Sequence, residues 1–275
     1  MILTQTMIEK QLRRLNLKVV LGRQRLRLSL QELSFYCCAI LEQVQTQTTF
    51  QSIHLRLQGE GATPVQYSTF MHHVQTCAKL LPILFNEVNQ TLGIKPSSLY
   101  NIVDSTLIPE KEEKYITAQD WGKNRVTTRV VQKNKIHICG SKGLVFLNRK
   151  HQVTQAQILP INTSDQNIFK DPLLYLRQLD GVLLADRGFN SALVRSRIQA
   201  VSRCRFISPY LKKQKVQLTQ KEQKFYKRRW AIETVFQKLK HVWSETQLNL
   251  RGKYSRTLKK AQFYSTLTLY NLAHA

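Results

Sequence analysis

Apolar residues recur at helical spacing through the first third of the chain. Ile8, Leu12 and Leu15 form one such stripe, Leu30, Leu33, Ala39, Ile40 and Leu41 a second, and Phe70, Val74, Cys77 and Leu81 a third. Gly59-Glu60-Gly61-Ala62-Thr63-Pro64 is the clearest break between them. Several short helices joined by turns predict an all-α region over residues 1–95, of the helix-turn-helix type used to bind DNA. From about residue 96 the period changes. Leu99 to Asp104 is a short apolar run closed by an acid. Lys135–Gly140 and Leu144–Leu147 predict one long strand or two short ones, and Val153–Leu159 alternates as another. A helix over Pro172–Leu179, a buried strand over Gly181–Asp186, a helix over Ser191–Gln199 and a strand over Arg205–Ser208 follow. The segment from Thr219 to Trp243 predicts the strongest helix. Strands first, then strand and helix in alternation, predict a mixed sheet flanked by helices over residues 96–275.

Charge changes that picture. The 275 residues carry 42 Lys+Arg against 17 Asp+Glu, a formal net charge of +25. A charge of this size is self-repelling unless a polyanion is the normal partner, and nucleic acid is the default one. The excess is uneven: residues 1–95 hold 10 basic and 5 acidic side chains, residues 203–275 hold 17 and 3. Seven basic residues and no acid lie between Lys10 and Leu28, namely Lys10, Arg13, Arg14, Lys18, Arg23, Arg25 and Arg27. That run suits either a phosphate-contacting stretch or a solvated helical face. No apolar run approaches the length of a membrane span and no signal-peptide block opens the chain, so a cytoplasmic protein is expected. The five cysteines form no C-x-x-C pair, which argues for reduced thiols and against a thiolate metal site.

In a chain so poor in acid, the placement of Asp104, Asp186 and Glu233 is informative. Two apolar strands end in Asp, and the third acid lies inside a basic helix. Ligands gather at strand ends of an α/β sheet. Three carboxylates meeting there would repel one another unless cations sat between them, and oxygen donors suit Mg²⁺ or Mn²⁺. Two such ions stabilise the attacking and leaving oxygens at phosphorus. On the helix, Tyr226, Arg229, Glu233 and Lys240 fall within about 60° of one another at roughly 100° per residue. Phe225, Ile232, Val235, Phe236, Leu239, Val242 and Trp243 take the adjoining arc. The polar stripe therefore borders a buried face. Trp230 leaves that arc and reads as a second packing contact rather than as a stacking surface for a base.

At these residues the chain resembles the DDE transposases of bacterial insertion sequences, in the group with the Y-x-x-R-x-x-x-E-x-x-x-x-x-x-K signature. Tyr226, Arg229, Glu233 and Lys240 fill it without gap or substitution. Val103-Asp104-Ser105 resembles the first acidic motif of that family and Ala185-Asp186-Arg187-Gly188-Phe189 the second. The resemblance covers about residues 96–270. It implies a ribonuclease-H-like fold in which Asp104, Asp186 and Glu233 bind two Mg²⁺ ions, with Mn²⁺ as a substitute. It further implies hydrolysis at the element's ends to free a 3′-OH, which then attacks target DNA. Tyr226, Arg229 and Lys240 would hold end-DNA phosphates, assisted by Arg187 and Lys238. The expected partners are double-stranded DNA, as terminal repeats and as target, and a second copy of the chain in a synaptic homodimer on the bacterial nucleoid. Some relatives carry a large β-rich insertion before the Glu-bearing helix, used to cut the second strand through a hairpin. Here only about ten residues, Leu211 to Gln220, fill that place.

Two other readings stay open at this level. A hydrolytic nuclease on the same fold would use the same acids, and a DNA-binding protein that has lost catalysis would keep the charge.

Overall fold

The computed structural model describes residues 5–13, 28–111, 116–123, 125–131, 134–170, 173–210, 217–245 and 254–275. Arg14, Leu15, Lys18, Arg23, Arg25 and Arg27 of the basic N-terminal run, and positions 211–216 of the short connection, lie outside these residues. The chain forms two compact units, residues 94–236 and residues 1–93 together with 237–275.

The second of these units is helical. It contains α1 (Gln5–Arg13), α2 (Leu30–Thr46), α3 (Phe50–Gly59), α4 (Tyr67–Cys77) and α5 (Leu81–Thr91). Local chemistry starts them: Ser29 and Glu32 form a capping box on α2, and the Thr49 hydroxyl accepts from the Ser52 amide at the head of α3. Ile8, Leu12, Leu33, Ile40, Phe70, Val74 and Leu81, from the stripes that the helical spacing predicts, are all at most 1% exposed and form the core together with Phe85. One further helix, Tyr254–Ala273, joins this unit, where it packs on α2 and α5. Two of its buried amides are paired inside: Gln262 donates to Gln43 at 2.8 Å and Asn271 to Asn89 at 2.7 Å.

Residues 94–236 carry a mixed six-stranded sheet, in the order β2-β3-β1-β5-β6 with β4 also on β3. The strands are β1 (Tyr100–Lys111), β2 (Val126–Val131), β3 (Asn134–Asn148), β4 (Val153–Pro160), β5 (Val182–Ala185) and β6 (Arg205–Ile207). β1 lies antiparallel to β3, with Asp104 opposite Val145, and parallel to β5, with Val103 opposite Ala185. The helices are α6 (Ala118–Gly122), α7 (Leu173–Leu176), α8 (Ala192–Val201), α9 (Gln220–Tyr226) and α10 (Trp230–Glu245), the last of which runs on past residue 236; Tyr254–Ala273 is α11. This is the ribonuclease-H-like arrangement, a mixed sheet flanked by helices and preceded by an all-helical region.

Strand alternation sorts the two faces of the sheet. Val103, Leu144, Phe146, Leu183, Ala185 and Phe206 share one core with Leu176, Leu179, Val194 and Ile198 of the α7–α8 side. Ile102, Val145, Leu147, Leu184 and Ile207 point to the other face and are at most 2% exposed. Asp104 and Asp186 follow Ile102 and Leu184 onto that second face. Gly181 sets the start of β5: its φ is +70°, and a Cβ there would stand 2.2 Å from the Ser98 carbonyl oxygen and 2.5 Å from that of Leu99.

Several expectations change. β1 does not end at Asp104. It continues to Lys111 along β3, and only its parallel pairing with β5 stops beside that acid. β3 is one strand of 15 residues. The predicted helix over Pro172–Leu179 shortens to α7, because the Gln178 and Leu179 amides bond three residues back and tighten the chain into turns. The helix from Thr219 to Trp243 is interrupted by a 3₁₀ turn at Lys227–Arg229. β2, rich in β-branched residues, was not predicted at all.

Candidate active site

α9 opens with a Thr219–Glu222 capping box, and the 3₁₀ turn that follows brings Tyr226 and Arg229 to the two strand-borne aspartates. The Tyr226 hydroxyl donates to Asp186 Oδ1 at 3.2 Å. Arg229 Nη1 donates to Asp104 Oδ2 at 2.5 Å, and its Nη2 donates to Glu233 Oε1 at 2.8 Å. The backbone amide of Ser105 donates to Asp104 Oδ1 at 2.8 Å. Three residues of one short sequence block, Tyr226, Arg229 and Glu233, thus meet the acid of β1 and the one that follows β5. On α10 itself Ile232, Val235, Phe236 and Leu239 are buried, as the helical arc predicts. The side chains of Val242 and Trp243 lie outside the described residues.

Burial dominates the electrostatics of Asp104. It pushes the carboxyl up to about 6, aided by the neighbouring charges of Asp186 and Asp165 and opposed by the Ser105 amide and Arg229. For Arg229 burial works against the charge, yet Asp104, Tyr226, Asp186 and Glu233 outweigh it and hold the guanidinium above its ordinary value. Burial raises the Tyr226 phenol as well, with Asp186 adding to the rise and Arg229 opposing it.

Among the described residues no three His, Cys, Asp or Glu side chains lie close enough to enclose a metal ion. Asp104 and Asp186 sit on adjacent strands, while Glu233 is tied to Asp104 through Arg229. The donors nevertheless fit a hard divalent cation. All are carboxylate oxygens, and the largely buried Asp104, once ionised, is favoured by a cation at hand, a service Arg229 performs here.

Lys240 is exposed on α10, and Arg187 is exposed in the 3₁₀ turn Arg187–Phe189. Lys238 Nζ lies 4.9 Å from the centre of the Tyr270 ring. Trp230 is 69% exposed, which overturns its reading as a packing contact. One residue was missed altogether. Asp165 accepts from Ser105 Oγ at 3.0 Å and from Lys142 Nζ at 3.0 Å, and no motif in the sequence marks it.

The model of the transposase DDE domain matches residues 97–272. With that match over most of its length, the chain belongs to the DDE transposase family, a family of DNA-processing enzymes of the transposase and nuclease type that generally use divalent metal ions. Among curated proteins and among solved structures, none matches the chain. No helix among the described residues is long and apolar enough to cross a membrane.

Proposed function

We propose that this chain is the transposase of a bacterial insertion sequence of the Y-R-E-K signature group. The observation that supports this best is the pairing of the signature with the acids: Tyr226 on Asp186, and Arg229 between Asp104 and Glu233. In this reading Asp104, Asp186 and Glu233 would hold two divalent ions, Mg²⁺ or Mn²⁺. Bound ions supply Lewis-acid stabilisation of the attacking and leaving oxygens. Arg229, Tyr226 and Lys240 then hold the phosphates of the element's end, with Arg187 and Lys238 as outer contacts. Water first attacks the phosphorus at the element's boundary and the P–O3′ bond breaks, leaving a 3′-OH. That 3′-OH then attacks a target phosphodiester and displaces the target's own 3′ oxygen. Residues 1–95 serve as the DNA-recognition domain and residues 96–275 as the catalytic domain, although residues 237–275 belong structurally to the helical unit. Two copies bring two ends together on the bacterial nucleoid.

The test is cleavage of a labelled duplex carrying the element's terminal repeat, in Mg²⁺, Mn²⁺ or EDTA. A metal-dependent nick at the repeat boundary that joins to a second DNA is the expected result. Asp186→Asn should abolish the nick and leave DNA binding intact. Cutting without regard to the repeat would replace the proposal with a nuclease, and tight binding without a nick in any metal would replace it with an inactive binder.

A further inference from the structure

Asp165 opens the 3₁₀ turn Asp165–Lys170, and its carboxylate reaches three other segments at once. Ser105 Oγ, one residue beyond Asp104, and Lys142 Nζ of β3 each donate to its Oδ1 at 3.0 Å. Lys142 is itself anchored to the Thr163 carbonyl at 2.5 Å, so the ammonium cannot follow the carboxylate elsewhere without breaking a second bond. The third segment is the turn after Asp186. A Cβ on Gly188 would stand 2.5 Å from Asp165 Oδ2 and 3.4 Å from its Cγ. The missing side chain of Gly188 is therefore the seat of this carboxylate. The end of a carboxylate can usually swing away from such a clash. Here swinging would forfeit the Ser105 and Lys142 bonds together.

Of the two aspartates on the site face, one directly precedes Ser105 and the other lies two residues before Gly188. We propose that Asp165 is a positioning residue of the phosphoryl-transfer site: held by Ser105 and Lys142 and seated on Gly188, it fixes the turn after Asp186 against the strand carrying Asp104, and so sets the spacing of the two metal-binding acids. This rests on the reading of Asp104 and Asp186 as metal ligands. Residues that orient ligands from behind are typically worth about 10–100-fold in metal affinity or activity when removed.

The test is a double-mutant cycle in the full chain: Asp165→Ala, Gly188→Ala and the pair, with Asp165→Asn as the conservative variant. The readouts are the Mn²⁺ dissociation constant by electron paramagnetic resonance, single-turnover cleavage, and thermal melting. Asp165→Ala should weaken Mn²⁺ binding by about tenfold or more. Asp165→Asn, which still accepts from Ser105, should recover most of that loss. Gly188→Ala should weaken Mn²⁺ binding and lower the melting temperature when Asp165 is present, and cost nothing further in the Asp165→Ala background. Wild-type Mn²⁺ affinity in Asp165→Ala, or an equal penalty for Gly188→Ala in both backgrounds, would overturn the proposal while leaving the transposase reading in place. A wild-type chain that binds no Mn²⁺, or an Asp104→Asn variant that binds it as well as wild type, would overturn the reading of the site and this proposal with it.

Discussion

Arg229 and Asp104 are joined at 2.5 Å although 125 residues separate them, and both side chains are only about 15% exposed. The guanidinium also reaches Glu233, so one cation serves two acids of the site. Removing it leaves a buried carboxylate without a counter-ion. Arg229→Gln should lower the stability of the metal-free protein by about 2 kcal/mol, the usual loss for hydrogen bonds to charged partners. Added Mg²⁺ should raise the melting temperature of the variant more than that of wild type. An equal rise in both would show that the cation and Arg229 do not share a role.

The pH dependence follows from Asp104. Its carboxyl stands at about 6 against an ordinary 3.8, so the folded chain holds this proton more tightly than the unfolded one. Between those two values the native state binds more protons, and stability falls as pH rises through the window. The full effect is on the order of 3 kcal/mol. Asp104→Asn should therefore gain on wild type in metal-free melts as the pH goes from about 4 to about 7. Mn²⁺ binding to wild type should weaken below about pH 6, where the proton competes for the same oxygens.

Trp230 is 69% exposed on the helix that carries Glu233. With so little packing to lose, Trp230→Ala should leave stability within about 0.5 kcal/mol. If a base stacks on the ring, affinity for DNA with unpaired ends should fall by about 1–3 kcal/mol. Fluorescence anisotropy with frayed and fully paired duplexes separates these outcomes, and unchanged affinity for both would remove the stacking role.

Gly181 admits no side chain. An alanine would meet two carbonyl oxygens closer than 2.6 Å and hold a positive φ. Gly181→Ala should cost more than about 2 kcal/mol. The loss should appear at once in metal affinity, because Gly181 immediately precedes the strand that leads into Asp186. Wild-type melting behaviour would show that the turn can rebuild.

Most of the candidate site was legible because the residues that make it are local in sequence. The spacing from Tyr226 to Lys240 placed four polar side chains on one edge, and the apolar runs before Asp104 and Asp186 named the strands that lead to the acids. Asp165 was not legible, since nothing near it in the chain is periodic or acidic enough to mark it; its role comes from Ser105, Lys142 and Gly188, all at least 20 residues away. Trp230 was misread because an aromatic next to an apolar stripe looks like part of the core, and only packing decides which side of the edge it takes. α11 escaped for the opposite reason. Residues 261–268 are buried without interruption, so that stretch has no solvent face and hence no amphipathic stripe to read.

That helix has a consequence for how the chain comes into being. Synthesis is vectorial, and domains fold as units once their residues have emerged. The sheet unit is drawn from residues 94–236, whereas the unit that contains the first helices also takes in residues 254–273. The part of the protein made first is completed last, so its apolar helices stand open on the ribosome while the sheet assembles behind them.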